Sequence, residues 1–288
     1  MVNPPKSSPD TEQAPSLGEL RAEIDRIDRA MHELLIERSG IIDTLIKVKK
    51  SNETGSAFRP AREASMMRLL VERHHGLLPL DTVESIWRVI IATFTYVQQA
   101  YSVHVDLSSG DVLVRDSVRF HFGYTVPVVQ HVGALAVVEA VAKSRGDLGL
   151  VRAEAVAGGK AWWRDLEGEQ KPKIIARLPF VERGDHPAAL PLFVLSKPLP
   201  VDAAVNEVEV WSVHVAGWSA VASRALTPLA EVIALPDSGL DSAALLISVP
   251  QGRKIDEVLA LLKEAGASVR VSALVGGHAT RYTVAHKS

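Results

Sequence analysis

The hydrophobic pattern changes character near residue 105. Before it, apolar positions recur at helical spacing. Leu20, Ile24, Ile27, Met31, Leu34, Leu35, Ile41, Ile42 and Leu45 form one row, which predicts a helix over about 17–50. Ser16, with Glu19 three positions later, forms a capping box at its start. A helix of that length favours a bundle or an intertwined dimer. The polar run SNETGSAF (51–58) breaks it, and Pro60 suits the first turn of a second helix over about 61–75. Gly76 and Pro79 end that helix, and Asp81 or Thr82 caps a third over 82–103. Val83, Trp87, Ile90, Ile91, Phe94, Val97 and Tyr101 line its apolar side.

After DLSSGD (106–111), short apolar runs alternate with helical segments. VRFHFG (118–123), DLGLV (147–151), KIIARLPF (173–180), LFVLS (192–196), VEVWSVHV (208–215), AEVIAL (230–235), ALLISV (244–249), SVRVSAL (268–274) and TRYTVA (280–285) read as strands. Helices are expected at about 132–145, 219–226 and 254–265, the last closed by Gly266. The expected organisation is multidomain: a Pro-rich disordered tail at 1–15, an all-α three-helix domain at 16–104, and an α/β (α+β) domain at 105–288.

Composition narrows the function. The 288 residues carry 32 Lys+Arg against 34 Asp+Glu, a net charge of −2, which argues against nucleic-acid or membrane-surface binding. Residues 1–104 hold 13 basic and 14 acidic residues, so any unusual cationic chemistry must be local. There is no cysteine, which excludes disulfides and thiolate chemistry and suits a cytoplasmic location. No apolar run reaches a membrane span, and the first residues lack the apolar core of a secretory signal. His74-His75 and the scattered histidines lack metal-ligand spacing, so no metal or cofactor is expected. AGGKAWW (157–163) lacks the spacing of a phosphate loop, and its Trp162 and Trp163 read as local packing or as the cap of a ligand cleft.

The informative feature is polar residues inside apolar stripes. In the first helix the row Met31, Leu34/Leu35, Ile41/Ile42, Leu45 also contains Arg38 and Lys49. Eleven positions at 100° each place these two about 20° apart around the axis and about 16 Å along it. In the third helix Gln98 occupies an apolar slot after Trp87, Ile91 and Phe94. On the second, Glu63 heads the row Glu63, Met67, Leu70, with Arg62 beside it. Snorkelling explains any one of these. Three helices turning polar groups inward, with cations in excess, instead point to a small polyanionic ligand between them. Arg21 lies about 100° around the helix from Arg38, so it can serve an equivalent pocket in a partner chain.

These residues resemble the all-helical chorismate mutase family. The resemblance rests on LRAEIDRID (20–28), LLIERSGIIDTLIKVKK (34–50), PARE (60–63) and VQQ (97–99). It implies three helices per chain, intertwined into a homodimer, with Arg21 contributed in trans. It assigns substrate carboxylates to Arg21 and Arg38 with support from Arg62, the substrate hydroxyl to Glu63, and the ether oxygen to Lys49 and Gln98. The implied reaction is the rearrangement of chorismate to prephenate in phenylalanine and tyrosine biosynthesis, which needs no cofactor. This chain departs from the pattern at Phe58, Arg59 and Phe94, all near the expected pocket.

Residues 117–200 resemble an eroded prephenate dehydratase. VRFHFG is similar to that family's opening strand and VVEAVAKSRGDLGLVRAE (137–154) to its helix-strand segment. Where the family carries a Thr-Arg-Phe signature this chain reads ALPLF (189–193), so no dehydratase activity is expected. Residues 243–288 are expected to be an ACT-like remnant. A regulatory role would make an aromatic amino acid or a pathway intermediate the effector; the alternative is a structural role that stabilises the dimer. Two rivals stay open for the whole chain: an isochorismate pyruvate lyase, or a non-enzymatic sensor of aromatic metabolites.

Overall fold

The computed structural model describes residues 14–49, 57–108, 111–156, 159–200, 203–237 and 241–284. The disordered tail expected at 1–15 lies almost wholly outside them. The chain forms two compact units, 1–51 and 52–288. The break in compactness falls at 51/52.

The first unit is one long helix, α1 (Leu17–Lys49). Its capping box forms as read: the Ser16 backbone N–H and hydroxyl donate to Glu19 Oε2, both at 2.7 Å, and the Glu19 N–H donates to Ser16 Oγ at 3.3 Å. It carries two local ion pairs, Arg26 with Glu23 at 2.7 Å and Lys47 with Asp43 at 2.6 Å. The apolar row Leu20, Ile24, Ile27, Met31, Leu34 and Ile41 is exposed.

The second unit opens with α2 (Pro60–Arg73) and α3 (Leu80–Gln98). It continues as β1 (Val103–Asp106), α4 (Asp111–Phe122), β2 (Val128–His131), α5 (Ala134–Lys143) and β3 (Leu148–Arg152). These strands are parallel, in the order β2-β1-β3. After a short 3-10 turn (Trp162–Leu166) come β4 (Lys173–Leu178), β5 (Val181–Glu182) and β6 (Leu192–Ser196). Then follow β7 (Val208–Ala216), α6 (Ala220–Leu226), β8 (Glu231–Pro236), β9 (Ser242–Pro250), α7 (Ile255–Glu264), β10 (Ser268–His278) and β11 (Tyr282–Thr283). Nine strands share one mixed sheet, β2-β1-β3-β6-β4-β10-β7-β9-β8, while β5 and β11 pair separately. The fold class is thus multidomain, a long N-terminal helical region followed by an α/β domain.

The last third of the sheet has a recognisable logic. β7-α6-β8-β9-α7-β10 is a β-α-β-β-α-β unit. Ala222 and Leu226 of α6 and Val258 and Leu262 of α7 bury against Val213, Val215, Leu245 and Ile247. The unit begins at Val208. It joins the rest of the sheet where β10 pairs with β4 at Gly276 and Ile174. Gly276 has φ +143°, and a Cβ there would stand 2.0 Å from the Ile174 carbonyl oxygen, so only glycine permits the approach.

Several elements differ from the sequence reading, which left β1, β2 and β5 unassigned. VRFHFG is not a strand: Val118 and Phe122 complete α4, burying with Val114 at a spacing of four. The alternation of Val118, Phe120 and Phe122 with Arg119 and His121 imitated a strand because Ser117 and His121 also face inward. The third helix stops at Gln98 rather than 103, with Gln99 already extended at φ −156°, ψ 115°. No glycine or proline marks that stop, so residues 99–103 were read into the helix.

Candidate active site

The site residues read from sequence fall in both units. Arg21 is exposed on α1, Arg38 is half-buried seventeen residues further along, and Lys49 is the last residue of the helix, its side chain outside the described residues. In the second unit Arg62 is exposed in the first turn of α2, while its neighbour Glu63 is 3% exposed. Gln98 is half-buried, and its Nε2 donates to the Phe94 carbonyl oxygen at 3.1 Å. Among the described residues, no hydrogen bond joins Glu63 to Gln98.

Glu63 is instead bound to a residue the sequence reading left out. Arg88 of α3 is fully buried and donates from Nη1 to Glu63 Oε2 at 2.6 Å. Its Nη2 donates to the His121 carbonyl oxygen of α4 at 3.0 Å. Burial raises the Glu63 carboxyl above its ordinary range, opposed by the charge and the hydrogen bond of Arg88. Tyr101, buried beside this pair, is also pushed up, mainly by desolvation and then by Glu63.

One turn earlier on α3, Glu84 is fully buried. It accepts from Arg183 Nη1 at 2.8 Å and lies 3.2 Å from His186 Nε2. His121 is held far below its normal pKa by burial, then by Arg88 and His186. The buried face of α3 therefore reads Glu84, Arg88, Ile91, Ala92, Thr95. The predicted stripe residues Trp87, Phe94 and Gln98 lie beside it, half-buried. Phe58, one of the departures noted above, is a core residue, 1% exposed and 6.4 Å from the Phe122 ring.

Several clefts lie in the α/β region. A cavity of about 340 Å3 opens at the C-terminal ends of β1 and β3, lined among others by Asp106, Arg152, Glu154, Lys160, Trp162 and Trp163. Trp162 and Trp163 are both packed and cleft-lining, their rings 5.7 Å apart edge to face. Asp106 fixes the mouth by accepting from the Gly133 N–H at 2.9 Å. A second cleft is lined by Arg177, Glu231, His278 and Arg281, with Glu231 paired to both arginines. Among the described residues, no group of three His, Cys, Asp or Glu is placed to hold a metal ion. No described helix is long and apolar enough to cross a membrane.

Residues 20–99, from α1 to the end of α3, match the family model of chorismate mutase type II. They carry a domain of that family, whose enzymes are isomerases. Among solved structures, the prephenate dehydratase from Streptococcus mutans is similar at 12% identity and a TM-score of 0.36, over 62% of this chain and 97% of that one. A structure described as GqqA, a novel type of quorum quenching acylase, is similar at 11% identity and a TM-score of 0.39, over 62% of this chain and 94% of the other. At those TM-scores neither likeness fixes fold or chemistry. No curated protein matches the chain.

Proposed function

We propose that the chain is a chorismate mutase, converting chorismate to prephenate. The observation that carries this reading is the family match over residues 20–99, which spans every residue picked out as part of a polyanion site. The rearrangement is intramolecular and needs no nucleophile. Its catalyst must hold a flexible dianion in the folded, reactive conformer. Arg21, Arg38 and Arg62 supply forked donors for the two carboxylates. Glu63 accepts from the substrate hydroxyl. As the C–O bond breaks, negative charge grows on the ether oxygen, where Lys49 and Gln98 stabilise the transition state more than the ground state.

The acting unit in this proposal is a homodimer. A 33-residue helix with an exposed apolar row gains stability by covering that row, and a second copy is the cover consistent with Arg21 acting in trans. The region 105–288 is a dehydratase-like domain without dehydratase activity, with a regulatory or structural role. Buried Leu192 and Phe193 at the place of the catalytic signature support that assignment. The β-α-β-β-α-β unit supports an ACT-like role for the C-terminal part, with an aromatic amino acid as effector. A biosynthetic role goes with a cytoplasmic location.

Mixing Arg21→Ala chains with Arg38→Ala chains tests the site and the dimer together. Heterodimers are expected to regain about one working site each, read as prephenate formation. Confirmed heterodimers without recovery refute the contribution in trans, and pyruvate released from isochorismate would favour a lyase.

A further inference from the structure

An uncompensated buried guanidinium is strongly unfavourable, so the partners of a fully buried arginine indicate its purpose. Arg88 divides its donors between two elements. Nη1 bonds Glu63 of α2 at 2.6 Å, and Nη2 bonds the His121 carbonyl of α4 at 3.0 Å. Its guanidinium carbon lies 5.1 Å from the Phe180 ring centroid, beyond β4. One side chain thus ties the glutamate of the mutase motif to the core of the α/β region.

We infer that Arg88 is a positioning residue of the mutase site, fixing Glu63 as an acceptor for substrate and making the α/β region part of the catalytic machinery. The inference rests on the mutase reading above. A pair kept for stability alone has a cheaper alternative, since apolar residues of similar volume pack such a core at least as well. An acceptor of a substrate hydroxyl must be ionised, and burial works against that at Glu63. Arg88 opposes burial. The other titratable groups around the pair are Tyr101 beside Glu63, His121 and His186 near Arg88, and Glu84 with Arg183 one turn away on α3. Neither the neutral tyrosine nor the neutral His121 can replace the arginine's charge.

The test is the pH dependence of kcat for chorismate rearrangement by the full chain, in wild type, Arg88→Met, Arg88→Lys and Glu84→Gln, with folding checked by thermal melting. Arg88→Met is expected to move the acidic limb of the profile upward by roughly one to three pH units, because Glu63 loses its opposite charge. Its rate at neutral pH should fall on the order of a hundredfold. Arg88→Lys is expected to recover most of the limb, and it carries the test if Arg88→Met does not fold. Glu84→Gln removes a buried charge from the same helix face without touching Glu63, and should lower the melting temperature with the limb unmoved. An active wild type whose Arg88 variants keep the wild-type limb overturns the inference alone. So does an equal shift in Glu84→Gln. A wild type that turns over no chorismate overturns the mutase reading, and this inference with it.

Discussion

Helices α1 and α3 both break the rule that helix faces sort into apolar and charged. They break it in opposite ways. On α1 the apolar row is exposed and cations interrupt it. On α3 charged residues are buried, and each has found a partner inside its own compact unit. Buried charge that is already paired with protein holds its partner in place. On α1 the cations Arg38 and Lys49 stand in the sequence row that the exposed apolar residues define.

The difference can be broken most severely at Glu84. Glu84→Ala leaves Arg183 and His186 without their buried anion, and unfolding stability is expected to fall by about 3–5 kcal/mol. Urea titration measures it; a loss under about 1 kcal/mol would mean that the buried row of α3 is not structural.

Acid probes the same contrast. His278 is 2% exposed, its Nδ1 donates to the Ala279 carbonyl oxygen, and burial lowers its pKa from 6.5 to about 4. A depressed folded-state pKa gives stability that is complete above pH 6.5 and lost as pH falls toward about 4. His278 accounts for about 3 kcal/mol of that loss. Urea titrations at neutral pH and near pH 4 should show His278→Gln removing that part of the dependence. In α1, Glu19 and Glu23 are fully exposed and held low by Ser16 and Arg26, so acid should loosen the second unit first. The smallest effect belongs to α1 itself: Ser16→Ala removes half of the capping box and should cost about 1 kcal/mol or less, visible as reduced helicity by circular dichroism.

How much was legible follows the same division. The cap of α1, the Pro60 start of α2, the Gly266 stop after α7 and most strands were readable because each has a local chemical cause. The end of α3 was not, since an extended Gln99 carries no stop signal. α4 was misread because its buried Ser117 and His121 look solvent-facing by type. Arg88 and Glu84 escaped for the same reason: pattern reading sends charge to water, and only tertiary contacts show an ion pair inside. The resemblance over residues 20–99 was legible as a set of residue types at fixed spacing. The partner that fixes its glutamate lies 25 residues away and across two helices, beyond the reach of spacing.

The most direct test of the central claim is conversion of chorismate to prephenate by the whole chain beside its Lys49→Ala variant. The expected result is clear turnover by the wild type and a loss on the order of a hundredfold or more in a variant that melts normally. A wild type inactive at millimolar chorismate, or a variant at near-normal rate, would contradict the account.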